Sequence, residues 1–183
     1  SEGGGLASQS LLKFGLFFFD YDLDGRLDVL TTNGHLEEEI NKVHANQQYR
    51  QPVQLFWNTG SGKGSRFVPV PPEKCGENIF KPIAGRGSAV ADIDGDGDLD
   101  VVLTQIGGAP LLLRNDQALR HHWVRFKLVG TKSNRDAIGA WIKVRVAGRI
   151  LSRQVMPTKG YLSQSELPVC IGLGKSGSVD EVE

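Results

Sequence analysis

Two nine-residue stretches of this 183-residue chain crowd four carboxylates together at one spacing. Asp20, Asp22, Asp24 and Asp28 form D-x-D-x-D-G-x-x-D, and Asp92, Asp94, Asp96 and Asp100 repeat it. Such a cluster repels itself strongly unless a cation compensates it. An all-oxygen donor set suits a hard ion, and calcium takes six to eight oxygens in flexible geometry. In such a loop the first, third, fifth and ninth residues supply carboxylates. The seventh, Arg26 or Asp98, supplies its backbone carbonyl, while Gly25 and Gly97 allow a sharp turn after the third ligand. The sequence therefore predicts two calcium sites. An EF-hand needs a bidentate Glu at position twelve and flanking helices. Thr31 and Leu103 stand there instead, and the flanks are strand-like. Magnesium, which keeps more water and fewer protein ligands, fits less well. Two copies at identical spacing also argue against acidic turns that hold no metal. Asp98 adds charge to the second loop where the first has Arg26, so charge alone makes the second the tighter site.

The loops sit in an internal repeat. LFFF leads into the first and VLTTN out of it; SAVA leads into the second and VVLTQ out. Each unit then runs to an apolar segment ending in Asn, QLFWN to Asn58 and LLLRN to Asn115. The first copy is longer, and its excess falls in GHLEEEINKVHANQQYR. Leu36, Ile40 and Val43 recur there at the spacing of one helical face, so a short helical insertion is expected. TGSGKGS reads as a Gly-rich turn before RFVPV, and PVPPEKCGENIFKP as a loop joining the repeats. After DQALR the texture changes, which places a boundary at residue 120. Beyond it, HWVRFKLVG, WIKVRV, RILSRQVM and LPVCIGL read as strands. In WIKVRV, Ile142, Val144 and Val146 face one way and Trp141, Lys143 and Arg145 the other. Residues 1–120 thus form one unit and 121–183 a compact β unit.

Charge divides along the same boundary. Residues 1–120 hold 11 Lys/Arg against 16 Asp/Glu, and residues 121–183 hold 10 against 5. Two divalent cations would nearly neutralise the first part. The basic second part reads as strands with a solvated charged face, so no nucleic-acid partner is expected. No apolar run approaches the ~20 residues of a membrane-spanning helix. The opening SEGGGLASQS has neither the charged start nor the apolar centre of a leader, so export must be argued from other features. Cys75 and Cys170 form no C-x-x-C or zinc pattern and read as free thiols, at least one of them buried.

Several strings imitate catalytic motifs without completing them. GLGKS at Gly172–Ser176 lacks the earlier glycine of a phosphate loop. GRGSAV lacks a third glycine and precedes a strand. His121 and His122 are adjacent, so in a strand they face opposite ways. Tyr161, Ser163 and Gln164 in YLSQS read as hydrogen bonding within a turn rather than as a pocket. The expectation is a binding module and not an enzyme.

FFFDYDLDGRLDVLTTNG and AVADIDGDGDLDVVLTQ resemble FG-GAP/VCBS repeats, the calcium-loop blades of β-propellers. HHWVRFKLVGTKSNRDAIGAWIKVRV, with GYLSQSELPVCIGLG and VDEVE, resembles the ASPIC/UnbV domain. The resemblance implies an all-β fold, a partial β-propeller of two blades followed by a small β-domain. It also implies calcium binding, an extracellular, periplasmic or cell-surface location, and an interaction or scaffold role. Two blades cannot close a propeller of about seven, so the expectation is the C-terminal part of a longer chain or a subunit of an assembly. Protein partners or further blades would then cover the open edges. The alternative is a carbohydrate-binding accessory domain of an exported enzyme.

Overall fold

Alternation along KFGLFFF sends Phe17 and Phe19 inward and leaves Leu16 and Phe18 exposed, as the two-residue period of a strand requires. This computed structural model describes residues 9–60, 66–116 and 118–183. Strand β1 (Lys13–Phe19) pairs antiparallel with β2 (Asp28–Asn33), and β3 (Gln54–Asn58) and β4 (Phe67–Pro69) follow in the order β1-β2-β3-β4. The second repeat forms β5 (Gly85–Ala91), β6 (Asp100–Gln105) and β7 (Leu111–Leu113), again as an antiparallel meander. In both repeats the Asp loop is the turn between the first two strands.

The two meanders pack face to face, β5 lying against β1 and β2. Phe17, Phe19, Leu30, Leu55, Val90, Val101 and Leu103 fill the space between them. Each side chain buried this fully contributes roughly 1.5–3 kcal/mol relative to exposure. Gly85 permits the close approach: a Cβ there would stand 2.4 Å from the Thr32 methyl.

The expected helical insertion is a single turn, α1 (Ile40–Val43). Only Ile40 of the three periodic residues is buried, while Leu36 and Val43 are 64 % and 76 % exposed. One turn meets the core through one side chain, so the spacing overstated the helix. The inter-repeat connector carries two short turns, α2 (Pro72–Cys75) and a 3₁₀ helix (Glu77–Phe80) that buries Ile79. The core of the expected TGSGKGS turn, residues 61–65, lies outside the described residues.

The remaining strands form two small antiparallel sheets. β9 (Trp141–Val146) pairs with β10 (Arg149–Gln154) and with β12 (Glu181–Val182); β8 (His122–Phe126) pairs with β11 (Val169–Gly174). Ala147 and Gly148, both at positive φ, make the tight β9–β10 turn, the two-residue connection whose twist suits a hairpin. Ile142, Val144 and Val146 are buried with Leu151, Val155 and Ile171 in a second core. Cys170, one residue before Ile171, belongs to the first core, so β11 bridges the two. Cys75 and Cys170 are both free, and burial pushes the Cys170 thiol up to about 12.

Candidate metal centre

Each loop is shaped by its own carboxylates accepting backbone N–H groups. In loop 1, Asp20 Oδ2 accepts from Gly25 N at 2.9 Å, and Asp28 Oδ2 accepts from Tyr21 N at 3.1 Å. In loop 2, Asp92 Oδ1 accepts from Gly95 N at 2.8 Å, and Asp100 Oδ2 accepts from Ile93 N at 3.0 Å. Gly25 and Gly97 have φ of 89° and 96°, the left-handed turn that only glycine adopts without strain. Leu23 also has positive φ, 57°, and its side chain is buried in the first core.

The repeat-closing asparagines complete the arrangement. Asn58 N donates to Asp28 Oδ1 at 2.7 Å, and Asn115 N donates to Asp100 Oδ1 at 2.8 Å. The ninth aspartate of each loop is therefore fixed by the far end of its own repeat. The sequence marked these asparagines only as segment ends. Trp57, whose Nε1 donates to Asp22 Oδ2 at 3.1 Å, carried no sequence signal.

Three carboxylates converge in each loop. One oxygen each of Asp20, Asp22 and Asp28 lies within 4.8 Å of the others, and likewise for Asp92, Asp94 and Asp96. Asp24 stands outside the first group, and the Arg26 guanidinium pairs with it. Arg26 is itself held by Asn58 O at 2.8 Å and lies over the Trp57 ring. Asp100 stands outside the second group, although its oxygens accept backbone N–H groups just as both oxygens of Asp28 do. Asp98 is buried, and its N–H donates to Asp96 Oδ1 at 3.2 Å.

The donor sets fit a hard cation. Asp20 is 3 % exposed, and its Oδ1 is buried without a hydrogen-bond partner. An unsatisfied buried carboxylate oxygen is costly, and a cation would remove that cost. Burial pushes the Asp20 carboxyl up to about 7 and Asp28 up to about 8, and raises Asp22 as well.

These shifts make a prediction for the metal-free chain. In the unfolded state both carboxyls ionise near 4; folded, they hold protons to pH 7–8. The folded state thus binds more protons across that interval, so stability falls as pH rises. The melting temperature of chelator-stripped protein should decline from pH 5 to pH 8, and saturating calcium should abolish the slope. A metal-free melting temperature that climbs across this range would contradict the burial of these groups.

Comparison with known families adds to this geometry. The FG-GAP-like repeat family matches residues 20–103, and the family described as ASPIC and UnbV matches residues 130–183. This chain is an FG-GAP-like repeat protein with an ASPIC/UnbV domain. A search among curated proteins finds no match. The FG-GAP match spans both Asp loops, and the ASPIC/UnbV match spans β9 to β12.

The ASPIC/UnbV strands, with β8 that pairs to them, press on both FG-GAP loops. Gly172 N donates to Asp20 Oδ2 at 3.2 Å, and Gly174 N donates to Leu23 O at 2.9 Å. Arg149 reaches Asp24 O at 3.2 Å, Arg153 reaches Gly25 O at 3.1 Å, and His121 Nδ1 bonds Asp22 O at 2.6 Å. On loop 2, Cys170 Sγ donates to Gly97 O at 2.9 Å, and the Trp123 indole lies where any Gly97 side chain would go. GLGKS, set aside as a phosphate loop, is thus mostly strand β11 seated on loop 1. The YLSQS serines act between elements as well as within a turn. Ser163 Oγ donates to Tyr161 O and accepts from Ser88 N, while Ser165 Oγ accepts from Val90 N.

Proposed function

We propose that this chain is a non-enzymatic, calcium-dependent scaffold or protein-interaction module that works outside the cytoplasm. The observation that carries the reading is the pair of convergent carboxylate groups, one containing a buried, unpartnered Asp20 oxygen. Calcium would be held in loop 1 by Asp20, Asp22, Asp24 and Asp28 with the Arg26 carbonyl. In loop 2 it would be held by Asp92, Asp94, Asp96 and Asp100 with the Asp98 carbonyl. When bound, the ion supplies the positive charge that lets each loop close; the protein's own residues set the loop and present its surface. The division at residue 120 separates the loop-bearing repeats from the strands that clasp them. Family membership supports an interaction role, and no helix among the described residues is long and apolar enough to cross a membrane.

Loops with no rigid bidentate Glu suit the ~10⁻⁴–10⁻³ M affinities of extracellular calcium modules. Titration calorimetry should find two ions per chain in that range, with Asp22→Asn and Asp94→Asn each removing one. No uptake at millimolar calcium, or a submicromolar Kd with cytosolic fractionation of the full-length protein, would overturn the reading.

One observation favours carbohydrate as the partner. Trp141, 59 % exposed, lines a cavity of about 560 Å³ with Met156 and Lys159, within the usual size of small-ligand sites. A glycan array run with the Trp141→Ala variant separates this from a protein-binding surface.

A further inference from the structure

The first aspartate of each loop faces an arginine from the C-terminal strands, but the two arginines stand differently. Arg125 Nη1 lies 2.5 Å from Asp92 Oδ2, and its Nη2 pairs with Glu166. Asp92 Oδ1 already accepts from Gly95 N, so both Asp92 oxygens are engaged. In loop 1, Arg153 stays 4.0 Å from Asp20 Oδ2 and spends its donors on Gly25 O and Ser152 O. Asp20 Oδ1 is left with no partner.

We propose that Arg125 is a built-in counter-cation at loop 2, which competes with calcium for Asp92 and is drawn off it by Glu166. The Arg125–Glu166 pair then tunes the calcium affinity of loop 2. The guanidinium is in direct contact with Asp92 Oδ2, and it cannot lose its proton. A divalent ion at Asp92 therefore meets a fixed positive charge a few ångströms away. Glu166 offsets this: its Oε2 holds the other guanidinium nitrogen, and its Oε1 accepts from Asp92 N at 3.4 Å. The Asp92 side chain is only 1 % exposed, so water screens the pair little.

The inference rests on the calcium reading above. Its test is calorimetry on the full chain carrying Asp22→Asn, which silences loop 1 and leaves loop 2 to be read alone. Arg125→Gln removes the competing charge and should tighten loop 2 about tenfold. Glu166→Gln leaves Arg125 to Asp92 and should weaken loop 2 by a similar factor. A merely structural role would move both variants the same way. Circular dichroism checks that each variant keeps wild-type β content; if Arg125→Gln does not fold, Glu166→Gln decides alone. Shifts of the same sign, no shift, or a Glu166→Gln chain that binds more tightly would overturn the competition. A wild-type chain that takes up no calcium overturns the proposed function and this inference with it.

Discussion

Stripping divalent cations from this chain should lower its melting temperature by about 10 °C or more, and restoring calcium should bring it back. The buried loop-1 carboxylates are in place only because the strands around them are paired. Asp28 joins Tyr21 to Asn58, and Asp20 joins Gly25 to Gly172. Without a cation these groups must either stay protonated or repel one another inside the protein. An ion that binds only the folded state adds about 2.7 kcal/mol at a hundredfold excess over Kd. Two such sites give about 5 kcal/mol, and each kcal/mol moves a chain of this length by about 2–4 °C. Scanning calorimetry before and after chelation measures the difference. An unchanged melt, once metal analysis has confirmed depletion, would show that the loops do not depend on a cation.

Gly172→Ala should be among the most damaging single methyl additions in the chain. A Cβ at Gly172 would lie 2.2 Å from the Leu23 carbonyl carbon and 2.4 Å from its Cα. Those are backbone atoms and cannot swing aside. Leu23 is 2 % exposed, and Gly174 N bonds its carbonyl. Strand β11 would have to lift off loop 1, breaking that bond and the one from Gly172 to Asp20. Overpacking together with two lost hydrogen bonds costs about 3 kcal/mol or more. The melting temperature should then fall by about 6–12 °C, and the chain should lose calcium affinity at loop 1 before loop 2. Gly177→Ala, where an added Cβ meets nothing within 4 Å, is the control and should stay within about 0.5 kcal/mol of wild type. Equal stability of the two variants would mean that β11 is not seated on loop 1 as described.

The strands were legible wherever the chain alternates. Ile142, Val144 and Val146 are buried, and Trp141, Lys143 and Arg145 are exposed, as the two-residue period requires. The Asp loops were legible because their spacing is local and occurs twice. Five of the groups that engage loop 1 were not, because they come from 99 to 152 residues away in the sequence. Arg149 and Arg153 looked like charges on a solvated strand face, yet both reach loop-1 carbonyls. Arg125 read the same way and reaches Asp92. Nothing in a strand's period says which of its outward charges will meet another unit. Within loop 1, the pairing of Asp24 with Arg26, two residues on, was likewise not legible from the spacing.

The serines set against β5 carry one more consequence. β5 is the outer strand of its sheet, and the N–H groups of Ser88 and Val90 are taken up by Ser163 and Ser165, with Glu166 N donating to Val90 O at 3.2 Å. An unprotected outer strand is a template on which other chains can add and grow into aggregates. The segment that covers this edge does so largely through hydroxyls, which satisfy the strand's donors without offering a continuous strand for the next molecule. A truncation that ends the chain before residue 160 would uncover this edge and remove the Cys170 thiol from the Gly97 carbonyl. The C-terminal strands would in that sense keep the repeats soluble, acting as a covalently attached chaperone for the sheet they cover.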